Sequence, residues 1–265
     1  MTRHQKKSLL VWLRQALLLY ILVAVALSAY LNRARSTDWD SELTVAIYPM
    51  NQDDSAAAAD YIANLDPVTF EPIVKFLQRE SKRYGIELER PARFFIGREQ
   101  TRSPPTPPQS RNVAAIMWWS LRLRFHAWRA ARNGGVRYPE IRLFVLYHDP
   151  ASTPRLAHSL GLEQGLIGVV NAYASHNETS RNAIVIAHEM LHTLGASDKY
   201  DKATNLPLFP TGYAQPERQP RYPQTQAEIM GGRTPLSATE ATMPTRLRSV
   251  VVGPETAAEI NWRGD

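Results

Sequence analysis

The chain contains no cysteine. That excludes a disulfide framework, a thiolate-ligated metal and any latency that works by a thiol capping a metal, although it does not fix the compartment. Acidic residues are missing from one stretch: residues 1–35 hold Arg3, Lys6, Lys7, Arg14, Arg33 and Arg35 and no Asp or Glu. Those six account for the whole formal charge of +6, because the rest of the chain carries 25 residues of each sign. The basic isoelectric point therefore belongs to one end of the molecule, and a nucleic-acid partner is not expected. Internal repeats are also lacking, and 265 residues suit one domain of about 200–250 residues.

What is present begins at that basic end. Residues 1–8 are basic and residues 9–31 are nearly all apolar. The uncharged core Gln15–Leu31 is 17 residues long. About 20 residues are needed to span a bilayer, and Arg14 extends the segment by reaching the headgroups. The expectation is a cytoplasmic N-terminus (1–8), an uncleaved transmembrane signal-anchor helix (9–31), a linker (32–42) and one exported domain (43–265). The expected setting is a single pass through a bacterial inner membrane, the domain facing the periplasm or the outside. Cleavage after the small residues Ala26-Leu27-Ser28, giving a secreted domain, is the alternative.

Within residues 43–265 the periodicities alternate between strand and helix. Leu43 to Tyr48 predicts a strand ended by Pro49, and residues 51–59 a polar, alanine-rich loop. Asp66-Pro67 predicts a helix start, with Phe70, Ile73, Val74 and Leu77 on one face and an end near Gly85. Residues 92–96 predict a second strand, and the proline run 104–108 a stiff loop.

Residues 112–132 predict a helix rich in Trp, Phe and Arg, stopped by Asn133-Gly134-Gly135. It suits either an anionic membrane surface or a place over a sheet with arginines toward solvent. Its apolar content suffices to pack a sheet, which favours the second. Strands are predicted at 141–147 and 165–173, then a helix through residue 192, a proline-rich loop at 204–224 suited to a substrate wall, and a short helix at 254–262 packing back on the core. His148, at a strand end, is expected to be a structural histidine. The fold class is α+β, an α/β sandwich with a helix under a twisted mixed sheet.

The chemistry is concentrated in residues 188–200, HEMLHTLGASDKY. Histidines four apart share a helix face, so His188 and His192 point at one metal ion. Glu189, beside the first ligand, is placed to act as general base on a water. Gly195 supplies the positive φ that ends a helix, and the turn it makes brings Asp198 round as third ligand. Two imidazoles, a carboxylate and an open position suit one catalytic Zn2+.

At these residues the chain resembles the metzincin clan of zinc peptidases, in the variant whose last ligand is Asp, as in its snapalysin-like and immune-inhibitor-like branches. The resemblance covers residues 180–233, and only the metal motif is strong. It implies a zincin fold, a methionine turn at Met230 within Glu228-Ile229-Met230-Gly231-Gly232, and zinc-dependent endopeptidase activity on a peptide or protein substrate. It also implies an antiparallel edge strand that pairs with substrate, for which residues 168–173 are the candidates. The tyrosine that some metzincins place two residues after the methionine is Gly232 here, which leaves Tyr200, Tyr213, Tyr222 and Arg233 as candidate oxyanion stabilisers. The carboxylate third ligand predicts a raised acidic limb in the pH–rate profile compared with Asp198→His. Alternatives on the same residues are a zinc amidase acting on cell-wall peptides, and a membrane-tethered zinc module that recognises peptides without cutting them.

Overall fold

Leu43–Asn51 forms the central strand β1, buried almost throughout, which is why its sequence is a continuous apolar run rather than an alternation. It is flanked in parallel by β2 (Ala92–Ile96) and β3 (Ile141–His148). Pro49 does not end the strand as the sequence suggests. Its missing N–H falls on the β2 side, where the ladder has stopped at Ile96 and only the Pro49 carbonyl is used, by Gln100 N–H. Beyond β3 lies β5 (Ile167–Tyr173), parallel, and outside it β4 (Leu160–Leu162), antiparallel. The order is β2-β1-β3-β5-β4, a mixed sheet. The computed structural model describes residues 11–17, 19–20, 23, 36–108, 112–136, 138–163 and 165–262.

Alternate side chains of the strands feed two cores. Val45, Ile47, Leu143, Val145 and Val170 face one way, onto α1 (Ala56–Ala63), α2 (Glu71–Lys82) and α4 (Thr179–Thr193). Ala46, Tyr48, Phe144, Leu146 and Ile167 face the other, onto Leu123, Ala127 and Ala130 of α3 (Val113–Asn133). The result is a three-layer sandwich of mixed α and β structure. Helix α1 lies where a loop was expected: the Ser55 hydroxyl caps it by accepting from Ala58 N–H, and the alanines form its first turn. Asp66 caps a 3-10 turn, Pro67–Phe70, that leads into α2, and Asn112 caps α3.

Helix α3 answers its sequence only in part. Its sheet-facing residues are buried as expected, but the solvent face is not simply a row of arginines. Met117, Trp118, Leu121, Phe125 and Trp128 are exposed there beside Arg122 and Arg129.

From Gly195 onward the chain is mostly loop, tied by two short ladders. β6 (Ala227–Glu228) runs parallel to β9 (Val250–Val251), and β7 (Thr234–Pro235) antiparallel to β8 (Ala241–Thr242). Met230, Val252, Ile260 and Trp262 complete the core under α4, so among the described residues this segment shares the core of the sheet. Helix α5 (Pro254–Glu259) packs back as expected. The chain just ahead of β1 docks there too: Trp39 packs edge-on to Trp262 at 5.4 Å between ring centroids and donates to the Ile260 carbonyl at 2.7 Å. Among the described residues no helix is long and apolar enough to cross a membrane. The expected segment 9–31 lies for the most part outside the described residues.

Candidate metal centre

Helix α4 is fastened to the sheet before it reaches the motif. The Asn182 amide acts as a strand partner for the end of β5, donating to the Tyr173 carbonyl (2.8 Å) and accepting from its N–H (3.1 Å). Two turns on, His188 and His192 leave the same face. Each ring is held by its Nδ1–H, His188 on the carbonyl of Ile229 (2.9 Å) and His192 on that of Ala196 (2.7 Å). With Nδ1 occupied as donor, Nε2 is the atom that each ring presents to Asp198, and once its proton leaves it can bind a cation.

The helix then ends on Gly195 at φ +105°, a conformation that a side chain disfavours. Ala196 N–H bonds back to Leu191 and Gly195 N–H to His192, the paired closure that a left-handed glycine permits. The turn brings Asp198 to the histidines. Its Oδ1 is 2.9 Å from His192 Nε2 and 3.4 Å from His188 Nε2, and the three ligand atoms lie within 4.8 Å of one another. The predicted ligand set is therefore assembled, and its donors suit a divalent cation of the zinc type.

The residues on either side hold Asp198 in place. Ser197 N–H and hydroxyl donate to Glu259 at the end of α5, and the buried Lys199 ammonium bonds Glu259 (2.7 Å) and Ser197 (2.8 Å). Because this clamp sets the third ligand without touching the ion, Glu259→Gln is expected to weaken metal affinity about tenfold. Competition titration with a metal indicator checks it, and unchanged affinity would leave the clamp a stability feature only.

The electrostatics are those of a histidine–aspartate ion pair. Burial pushes the Asp198 carboxyl up, but hydrogen bonds from both imidazoles outweigh it and hold the group well below the usual carboxylate range. Burial pulls the His188 imidazolium down, yet contact with Asp198, the Glu189 charge and the Ile229 carbonyl leave it raised. A cluster that retains a proton this well has a place for a positive charge, and a metal would replace that proton.

Glu189 is 6% exposed, and burial pushes its carboxyl up despite the two neighbouring histidines. Its Oε2 has no partner, although a buried carboxylate oxygen left without one is costly. That oxygen therefore fits a donor brought from outside, as a water or substrate would supply.

Two features near the motif were not anticipated. Gly161, in β4, sits against α4 so closely that a Cβ there would lie 2.4 Å from the Glu189 carbonyl oxygen and 2.5 Å from His192 Cβ. Gly161→Ala is expected to lever β4 off the helix, reducing both metal content and the thermal midpoint; parent values for both would show that β4 has room to shift. The only sequence signal is the short triplet Leu160-Gly161-Leu162 ahead of β5. The second is the Glu228 carboxylate, fully buried, accepting from Gly231 N–H (2.7 Å), Gly253 N–H (3.1 Å) and the Thr256 hydroxyl (2.7 Å). It braces the turn that carries Ile229, whose carbonyl holds His188, and Met230, which is fully buried.

A cleft of about 440 Å³ opens over His188 and Glu189. One wall is the chain Pro154–Ser159 leading into β4; the other includes Tyr200, Gly231, Gly232, Arg233 and Met243. The proline-rich loop supplies Asn205 rather than a whole wall. The edge strand expected at residues 168–173 is corrected. β5 is interior, and its Asn171 N–H is taken by the Ser159 hydroxyl, so the antiparallel edge is β4 with the chain before it.

Of the candidate oxyanion groups, Tyr200 and Arg233 line the cleft. The Tyr200 hydroxyl is pushed up to about 12 by burial and by the charges of Asp198 and Glu189, so it stays a donor at neutral pH. Tyr213 and Tyr222 instead share a hydrogen bond of 2.9 Å between their hydroxyls and do not line it. His148 is structural, paired with Asn171 at 3.0 Å. In comparisons with known proteins, no family model matches the chain and no curated protein matches it either.

Proposed function

We propose that the chain is a zinc-dependent endopeptidase of metzincin-like type. The observation that carries the proposal is the convergence of His188 Nε2, His192 Nε2 and Asp198 Oδ1 beside a buried, unpartnered Glu189 oxygen at the floor of an open cleft. Zinc binding needs only the three ligands; a second buried carboxylate on the residue next to a ligand suits a group that moves a proton. The braced turn at Met230 and the chain Pro154–Ser159, which lines the cleft and leads into the antiparallel edge strand β4, add support.

In this proposal His188, His192 and Asp198 hold the ion, which when bound supplies Lewis acidity toward a water and a scissile carbonyl. Glu189 takes the water's proton and hands it to the leaving amine, and its upward-shifted carboxyl suits a group that must both accept and release a proton. The chain Pro154–Ser159, outside regular structure and along the cleft, offers backbone for a substrate strand to lie against. Of the candidate tyrosines Tyr200 lines the cleft, and its hydroxyl, bonded to Asp198, would turn to donate to the carbonyl oxygen as charge develops on it.

Purified protein loaded with zinc and incubated with a diverse peptide library, the products read by mass spectrometry, is the direct test. Cleavage that a chelator abolishes and zinc restores is expected. A loaded protein that leaves every peptide intact, yet retains some of them on a column, would favour the peptide-recognition module.

A further inference from the structure

Helix α3 is apolar on two opposite sides. Leu123, Ala127 and Ala130 close the sheet core, while Met117, Trp118, Leu121, Phe125 and Trp128 form a stripe at helical spacing that faces outward. Trp118 is 64% exposed and Phe125 60% exposed. A helix whose core side is already satisfied gains nothing in water from a second apolar side, and a contiguous outward patch of this kind marks a contact surface.

Two observations select what covers it. First, charge: residues 112–135 contain four arginines and no acidic residue, and exposed Arg122 and Arg129 flank the stripe. Arg132 lies over the Trp128 ring at 5.4 Å, the pairing of cation and indole that suits a boundary between headgroups and acyl chains. Second, reach: the body of the protein already includes buried Ser36 and Thr37, whose carbonyl accepts from Asn261. Only residues 32–35 separate that docked chain from the apolar segment 9–31. Four residues span no more than about 14 Å even when fully extended. A body on so short a tether stays close to the membrane that holds the segment; the docked chain itself packs on the Trp262 side of the sheet, so the apolar stripe and its arginines are what select α3 as the face turned to the lipid.

We infer that the outer face of α3 lies on an anionic lipid surface, its aromatic and methionine side chains among the upper acyl chains and its arginines on the headgroup phosphates. This inference rests on residues 9–31 as a membrane segment and not on the chemistry of the metal centre. It makes α3 a second point of attachment, which fixes how the body, and with it the cleft, is oriented to the membrane.

The absence of cysteine makes a clean test possible. The full chain, carrying a single nitroxide label at Met117→Cys, Leu121→Cys or Phe125→Cys, is reconstituted in vesicles of phosphatidylcholine and phosphatidylglycerol. These side chains are exposed, so replacement removes no core contact. Lys75→Cys, exposed on α2 across the sheet, serves as the aqueous control. Dissolved oxygen is expected to relax the three α3 labels more than a water-soluble nickel chelate does, with the reverse at position 75. The contrast is expected to shrink in pure phosphatidylcholine and in Arg122→Gln/Arg129→Gln.

Chelate-accessible labels on protein that floats with the vesicles would overturn the inference while leaving the membrane segment intact. Labels reached by neither agent would assign the face to residues 9–31 packing on it, and dipolar broadening between copies would assign it to a second chain; both overturn it. Contrast unchanged without anionic lipid would overturn the role of the arginines. Protein that does not float at all would overturn both the segment and the inference.

Discussion

Glu189→Ala is expected to retain metal while hydrolysis of a cleaved peptide falls by about 10²–10⁴-fold in kcat/KM, the range that a positioned acid–base group contributes. The two readouts separate by construction. Glu189 is not among the residues whose ligand atoms converge, and its carboxyl takes a backbone hydrogen bond from Gly161 of β4, outside the ligand set. Removing the side chain leaves the Nδ1 anchors of His188 and His192 untouched. Glu189→Gln sharpens the measurement, since it keeps the shape and loses the basicity. If Glu189→Ala cleaves as well as the parent, the proton is moved by another group and the assignment of Glu189 fails. If it loses metal as well, the residue is structural, and turnover says nothing about its chemistry.

The other large effect is on metal content. The parent is expected to bind about one zinc per chain, as a site with three protein ligands does, and both His188→Ala and Asp198→Ala are expected to bind none at micromolar free zinc. Asp198→Ala is the more informative variant. Helix α4 alone supplies only the histidines, and the carboxylate depends on the Gly195 turn and the Glu259 clamp for its position. Elemental analysis of purified protein, repeated after zinc titration and removal of excess, gives the answer. Zinc kept by Asp198→Ala would mean that the third ligand is elsewhere and would remove the main support for the metzincin-like proposal. A parent that takes up no zinc would leave His188 and His192 as core histidines.

How much of this was legible in the sequence divides along physical lines. The three ligands and Glu189 could be found because helical spacing and a left-handed glycine are local geometry, readable from a dozen residues. Helix α2, though its Asp-Pro signal starts the 3-10 turn ahead of it, and the apolar strands β2 and β3 were legible for the same reason. Helix α1 was not, since its alanines carry no periodicity and its stability comes from Tyr61 and Ile62 packing on the sheet. Nor was the run of β1 through Pro49, which is permitted only because β2 has already ended on that side.

The supporting residues around the centre were the least readable. Gly161 acts through a close approach of two elements 28 positions apart, Glu259 grips a loop some 60 residues away, and the Ile229 carbonyl holds His188 across 41 residues. No local pattern announces contacts made by the folded chain. The outer face of α3 misled for a related reason: periodicity says which positions share a face, but a helix with two apolar faces does not say which one meets the sheet.

The fastening of the two imidazoles has a thermodynamic corollary. One Nδ1 is held by the turn that closes α4, the other by the loop leading into Met230, so the ligand geometry exists only while both loops are folded. An ion that recognises that geometry binds the native chain and not the unfolded one, and free zinc at a hundred times the dissociation constant adds about 2.7 kcal/mol to stability. If the centre holds zinc as proposed, the melting temperature is a function of how much zinc surrounds the protein. A compartment poor in zinc would not only silence the cleft; it would also shorten the life of the segment from Gly195 onward by exposing it more often to whatever proteases share that space.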